Sequence, residues 1–210
     1  MNLEKHFTTT YKYNSWGDTE TRSGPGSNRN SNLVKETINF VINCINLFYK
    51  ERDTISIADI PCGDFNFIDL LLKEILLNTN CKQINYYAYD IVPDIENDFN
   101  NKLIRIENVK YNFKVLDATK EIVNSSDIIL CKELFIHLSF EHIIEVIENF
   151  KKSNSSHLIC IDYEGYENKE DITYTWPGEC RIVCLTKPPF NMPIPLFSEN
   201  NYKIWNLKNI

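Results

Sequence analysis

The stretch TISIADIPCGDFNFIDLLLKEILL, residues 54–77, decides the fold class. Thr54 to Ile60 is rich in β-branched residues and stops at Pro61-Cys62-Gly63-Asp64, where proline ends a ladder and glycine lets the backbone turn. From Phe67 to Leu77 the apolar spacing becomes helical. Strand, tight turn and helix form the opening of a βαβ unit. The pattern recurs downstream: INYYAYDI (84–91), YNFKVL (111–116), DIILC (127–131) and HLICIDY (157–163) read as strands. Helices are predicted around 94–103 and over 139–151, the second capped by Ser139 with Glu141 in its first turn. Arg181–Thr186 and Tyr202–Leu207 are the candidates for two further strands. Such alternation predicts a single α/β domain with a mostly parallel seven-stranded sheet and helices on both faces.

Upstream, Leu33 to Lys50 has helical spacing with Asn32 as its cap, and residues 1–32 are polar. Ser23-Gly24-Pro25-Gly26-Ser27 is loop chemistry, so 1–32 reads as an N-terminal arm or lid and 33–210 as the domain. A chain of 210 residues with 43% hydrophobic and 24% charged residues has an ordinary globular composition. A net charge of −7 and no basic run longer than Lys151-Lys152 argue against nucleic acid and anionic membrane partners. Seven scattered cysteines, without metal-ligand spacing, point to a reducing, cytoplasmic setting. The polar N-terminus shows no signal-peptide pattern, and no apolar stretch is long enough for a membrane span. Nothing in the pattern fixes an oligomeric state.

In such sheets ligands bind at the carboxyl ends of the strands. The first strand ends at Asp59, with Gly63 allowing close backbone approach. The second ends at Asp90, 27 residues beyond Gly63, where an acid accepts from ribose hydroxyls in nucleotide-binding domains. The third ends in Asp117-Ala118 and the fourth in Cys131-Lys132-Glu133. Any one of these acids alone reads more readily as a turn former or helix cap than as a ligand. Three in one βαβαβ unit favour a nucleoside-type cofactor.

These same residues carry a resemblance. ADIPCGDFNFI, YYAYDIVPD, VLDAT and DIILCKELFIHLSFEHI look like motifs I to IV of class I S-adenosyl-L-methionine-dependent methyltransferases, enzymes with a Rossmann-like domain. More narrowly, the chain resembles a small bacterial-type family with four hallmarks. A Trp…SGPGS arm (here Trp16 with Ser23–Ser27) accompanies a D-x-P-C-G-D turn (Asp59–Asp64). A C-R-D-x-x-x-H-L-S segment (Cys131–Ser139) and a K-P-P-F-N-x-P segment (Lys187–Pro193) complete the set. Lys132-Glu133 stands where that family carries Arg-Asp. The resemblance implies that Asp59, Pro61, Cys62, Gly63 and Asp64 cradle the methionine part of the cofactor. It also implies that Asp90 holds the ribose, Ile91 lies against the adenine, and Asp117 beside Ala118 takes the adenine amino group. Cys131 and Lys132 would line the floor under the sulfonium, and Trp16, Ser23, Gly24, Gly26 and Ser27 would fold over the cofactor.

Glu133 and His137, just past the fourth strand, are the candidates for a general base towards a hydroxyl acceptor. Tyr163, Glu164, Trp176 and Arg181 are the candidates for an acceptor pocket, because they follow the fifth strand. The resemblance implies a small-molecule acceptor, preferably a sugar or surface-polysaccharide-related hydroxyl. Lys187-Pro188-Pro189-Phe190 resembles an amino-directed DNA methyltransferase motif but falls after the wrong strand, and Lys cannot accept a hydrogen bond. A dehydrogenase would need G-x-G-x-x-G, and 59–65 supplies one glycine. A cofactor- or partner-binding module on the same fold, without turnover, is the alternative.

Overall fold

The computed structural model describes residues 1–210. In chain order the elements are α1 (Leu3–Lys12), α2 (Asn32–Phe48), β1 (Thr54–Asp59), α3 (Ile68–Asn78), β2 (Gln83–Asp90) and α4 (Ile95–Asn101). They continue with β3 (Val109–Val115), β4 (Ile128–Cys131), α5 (Phe140–Lys152), β5 (His157–Ile161), β6 (Phe197–Glu199) and β7 (Tyr202–Asn206). The seven strands form one sheet in the order β3-β2-β1-β4-β5-β7-β6. β1 to β5 pair in parallel, while β7 runs antiparallel to both β5 and β6. From β1 the chain steps outward to β2 and β3, and later from β4 to β5 in the opposite direction. Right-handed crossovers therefore place α3 and α5 on opposite faces. Strand order reverses between β1 and β4, which puts the ligand-binding crevice at their carboxyl ends.

Each strand follows from its burial. Ile55, Ile57 and Ala58 of β1 are buried, and β4 is buried at all four positions, as expected for central parallel strands. Tyr86, Tyr89, Tyr202 and Trp205 fill the space between sheet and helices. Ser139 caps α5 through a bond from the His142 amide, as its sequence predicts, whereas α2 is capped by Ser31 rather than Asn32.

Two expectations are corrected. Arg181–Thr186 is not a strand; Phe197–Glu199 supplies the sixth. The backbone of 181–186 is satisfied piecemeal instead, Arg181 N–H donating to Ile136 O, Leu185 N–H to the Asp162 carboxylate, and Val183 O accepting from Tyr163 N–H. Residues 1–32 are also more than loop. Asn2 accepts from the Lys5 amide and starts α1, whose Leu3, Phe7 and Tyr11 recur every four residues and join the main core. No helix is long and apolar enough to cross a membrane.

Candidate active site

The turn after β1 sets the first wall of the site. Gly63 has φ +59°, and a Cβ there would lie 2.4 Å from Ser23 Oγ, so glycine is required by both conformation and space. The Gly63 amide donates to Asp90 Oδ2 at 3.1 Å and the Val92 amide to Oδ1 at 3.0 Å, fixing the β2 carboxylate against the turn. Each oxygen of Asp90 keeps a second lone pair. Burial raises the Asp90 carboxyl to about 6 and the Asp59 carboxyl to about 7, the latter against hydrogen bonding from Tyr86 and attraction by Lys132.

A cavity of about 200 Å³ opens over this turn. Its walls include Trp16, Ser23, Gly24, Gly26 and Ser27 of the arm, Asp59, Pro61, Cys62 and Gly63 of the turn, and Lys132, Glu133 and His137 beyond β4. It continues into a narrower hollow of about 50 Å³ against Asp90, Ile91 and Leu134, sharing Tyr11, Trp16, Pro61, Glu133 and His137. A last hollow of about 30 Å³ lies among Asp90, Ile91, Asp117 and Ala118. The three share wall residues and follow one another as an interrupted groove along the carboxyl ends of β4, β1, β2 and β3. Successive turns of α1 roof it: Leu3 and Phe7 over the Asp117 end, Phe7 and Tyr11 over the middle, Tyr11 over the wide end. The Asp117 carboxylate accepts from Thr119 and Lys120, which lower its pKa against the upward push of burial.

At the wide end His137 is tied through Nδ1 to the Glu179 carbonyl at 2.9 Å, and its ring lies 4.9 Å from that of Trp16. A carbonyl only accepts, so Nδ1 carries the proton and Nε2 the free lone pair. Burial lowers the His137 pKa, with the Glu179 carbonyl and the Glu133 charge opposing, which favours the neutral imidazole. Lys132, itself buried, pairs with Glu133 and lies 5.6 Å from the Phe67 ring centroid. Glu133 has φ +58°, a left-handed conformation that costs a non-glycine residue about 1–2 kcal/mol and that recurs at functional sites. Gly26 lies against it: a Cβ there would sit 2.1 Å from Glu133 Oε2. Trp16 Nε1 is a buried donor with no partner, on a ring that borders the groove.

Several predicted site residues stand elsewhere. Asp64 anchors the arm: it accepts from Thr21 Oγ1 (2.7 Å), the Arg22 amide (2.9 Å) and Ser23 Oγ (3.0 Å), and its own amide donates to Ser23 Oγ (2.9 Å). Since the only hydroxyl hydrogen of Ser23 goes to Asp64, the Tyr11 hydroxyl donates to Ser23 Oγ, 2.9 Å away. Cys131 is buried within β4 opposite Cys160, away from the groove walls. Trp176 is 58% exposed, and Arg181 donates to Phe135 O and Leu138 O, bracing the loop that carries His137. Tyr163 packs on the core within range of the Glu133 charge, and Glu164 faces a separate hollow. Conversely, Leu3, Phe7, Tyr11, Phe67, Leu134, Ile136 and Cys180 line the groove and were not anticipated. The four-residue spacing of Leu3, Phe7 and Tyr11 was the available signal.

No protein-family model and no curated protein sequence matches the chain. Solved structures do. Human N-acetylserotonin methyltransferase in complex with SAM superposes with a TM-score of 0.56 at 11% identity, over 97% of this chain and 59% of that one. Magnesium protoporphyrin IX methyltransferase from Synechocystis PCC 6803 with bound SAM gives 0.52 at 16% identity, over 80% and 78% of the two chains. The chain has the Rossmann-like methyltransferase fold. At these identities the likeness is one of fold, and the chain spans little more than half the length of the human enzyme.

Proposed function

We propose that this protein is a methyltransferase that uses S-adenosyl-L-methionine and acts on a hydroxyl of a small-molecule acceptor, preferably a sugar or a surface-polysaccharide-related one. The observation that carries this reading is the row of wall-sharing hollows from Gly63 past Asp90 to Asp117, with a neutral, oriented His137 at its wide end.

The residues present fit the cofactor. Asp90, with a free lone pair on each oxygen, suits a ribose diol; Ile91 with Leu3 and Phe7 gives an adenine two apolar walls; Asp117 is an acceptor for its amino group. The orphaned Trp16 N–H and the Pro61–Gly63 turn are left for the methionine part. When bound, the cofactor supplies an activated methyl group, so the protein's task is placement and proton removal. His137 Nε2 takes the acceptor's hydroxyl proton, and the imidazolium is held by the Glu179 carbonyl at Nδ1 and favoured by the Glu133 charge. The roof formed by α1, Trp16 and the Gly24–Ser27 segment keeps water from the site.

Calorimetry with S-adenosylmethionine and S-adenosylhomocysteine tests the cofactor step, with Asp90→Ala expected to weaken binding at least tenfold (about 1.4 kcal/mol). No binding of either compound refutes the reading. Binding without methyl transfer to a panel of sugars and phenols leaves a binding module on this fold.

A further inference from the structure

A separate hollow, of about 460 Å³, opens past the end of β5 between Asp162, Lys203 and the 194–198 segment. Its size is within the range of about 300–1,000 Å³ usual for ligand pockets. Glu133 follows β4 and Asp162 follows β5, and the two strands pair in parallel up to Cys131 and Cys160, so both sites open at the same edge of the sheet. The floor is polar and fully built in. Asp162 is 0% exposed; one carboxylate oxygen accepts from the Leu185 amide, and the other, Oδ2, has no partner. Lys203, 3% exposed on β7, donates to Glu164 Oε2 at 3.2 Å and to Asn200 O at 3.4 Å. An ammonium has three N–H groups, so one remains. The rest of the lining includes an apolar stretch, with Ile194 90% exposed and Pro195 and Phe197 half-buried.

These groups discriminate among ligands. An organic cation would satisfy Asp162 Oδ2 but meet the Lys203 ammonium; an anion would suit Lys203 but meet two carboxylates. A neutral ligand with two adjacent hydroxyls satisfies both, one donating to Asp162 and the next accepting from Lys203, while its C–H face covers the apolar wall. Burying such an unpartnered carboxylate oxygen without a donor is costly, which gives the site a preference for a ligand that supplies one.

We propose that this hollow binds a polyhydroxylated ring, the part of the acceptor next to the one that is methylated. The assignment rests on the methyltransferase reading for its role, though not for its ligand chemistry. Binding energy gained there would hold the acceptor over the groove without touching the reacting atoms.

The test is chemical-shift mapping on the full-length, 15N-labelled chain. The probes are methyl α-D-glucopyranoside, methyl β-D-galactopyranoside and methyl α-D-mannopyranoside, with cyclohexanol, spermidine and sulfate as comparators. At least one glycoside should saturate in the millimolar range and shift the Thr186, Ser198 and Lys203 amides. Lys203→Met should weaken it about tenfold. Ile194→Asp, at a site too exposed to disturb folding, should weaken it about threefold or more. The proposal is overturned if no glycoside saturates by about 100 mM, if the shifts lie elsewhere, or if both variants bind as the wild type does. Saturable spermidine or sulfate binding in place of glycosides overturns it too. Calorimetry with S-adenosylhomocysteine separates the two readings. If that compound binds and glycosides do not, this proposal alone fails; if glycosides bind and that compound does not, the acceptor role falls with the methyltransferase reading.

Discussion

Asp59 offers a direct test of the electrostatics beneath the groove. It ends β1 at 2% exposure, accepts the Tyr86 hydroxyl at 2.5 Å, and is raised by burial to about 7, with the Tyr86 bond and the Lys132 charge already opposing the rise. In the unfolded chain an aspartate titrates near 3.9. Between those values the folded state holds a proton that the unfolded state has released, so stability falls as pH rises. The slope is about 1.4 kcal/mol per pH unit, and over roughly three units the loss reaches about 4 kcal/mol before levelling above pH ~7. Asp59→Asn keeps an acceptor for Tyr86 and cannot ionise. The variant should match the wild type near pH ~3, below the unfolded value, and exceed it by up to about 4 kcal/mol near pH ~8. Urea unfolding followed by tryptophan fluorescence, repeated across that range on both proteins, measures the difference. A constant difference, or a variant that loses ground on the alkaline side, would show that Asp59 ionises in the fold at least as readily as it does in water.

Three further perturbations separate the parts of the site. His137→Asn should lower kcat/KM by about 10²–10⁴ while leaving S-adenosylhomocysteine affinity unchanged. Because burial lowers the His137 pKa and the neutral ring is the active form, wild-type activity should rise with pH along a limb centred below the ordinary histidine value of 6.5; a limb above that value contradicts the assignment. Ser23→Ala removes a hydroxyl shared by Asp64 and Tyr11, so arm docking should weaken by about 1–3 kcal/mol. Hydrogen exchange at Thr21, Arg22 and Asp64 reports it, and unchanged protection there rules out the anchor. Gly26→Ala places a Cβ within 2.1 Å of Glu133 Oε2 and should displace that carboxylate, reducing turnover with little change in thermal stability. Full activity would mean that Glu133 has no fixed role.

The strand ends were readable because periodicity and turn chemistry are local. β1, its Gly63 turn, Asp90 and Asp117 stand at the carboxyl edge where alternation places them, and Ser139 caps α5 as its position suggests. Which strand-end acid faces the groove is not local. Asp64 is consumed by Thr21, Arg22 and Ser23, more than forty residues earlier, a pairing that only the folded arm creates. Cys131 was misplaced for a related reason: β4 is buried at every position, so no alternation marks the side chain that turns to the crevice. Arg181 reads as an acceptor ligand by its place after β5, yet its guanidinium serves the carbonyls of 135 and 138.

The roof helix shows why the polar arm carries no helix prediction in the sequence. α1 is ten residues long and includes three consecutive threonines, so neither length nor propensity sustains it in isolation. What orders it is burial of Leu3, Phe7 and Tyr11 on the carboxyl edge of the sheet, together with the bonds that tie residues 21–23 to Asp64. Arg22 adds pairs with Asp94 and Asp98, and Arg29 a bidentate pair with Asp69 at 2.6 and 3.0 Å. These partners belong to the turn after β1, which lines the groove, and to the start of α3 and the α4 region behind it. The helix that covers the candidate cofactor site is therefore held by the site's own scaffold. Loosening the Asp64 anchor should expose the groove before it disturbs the sheet.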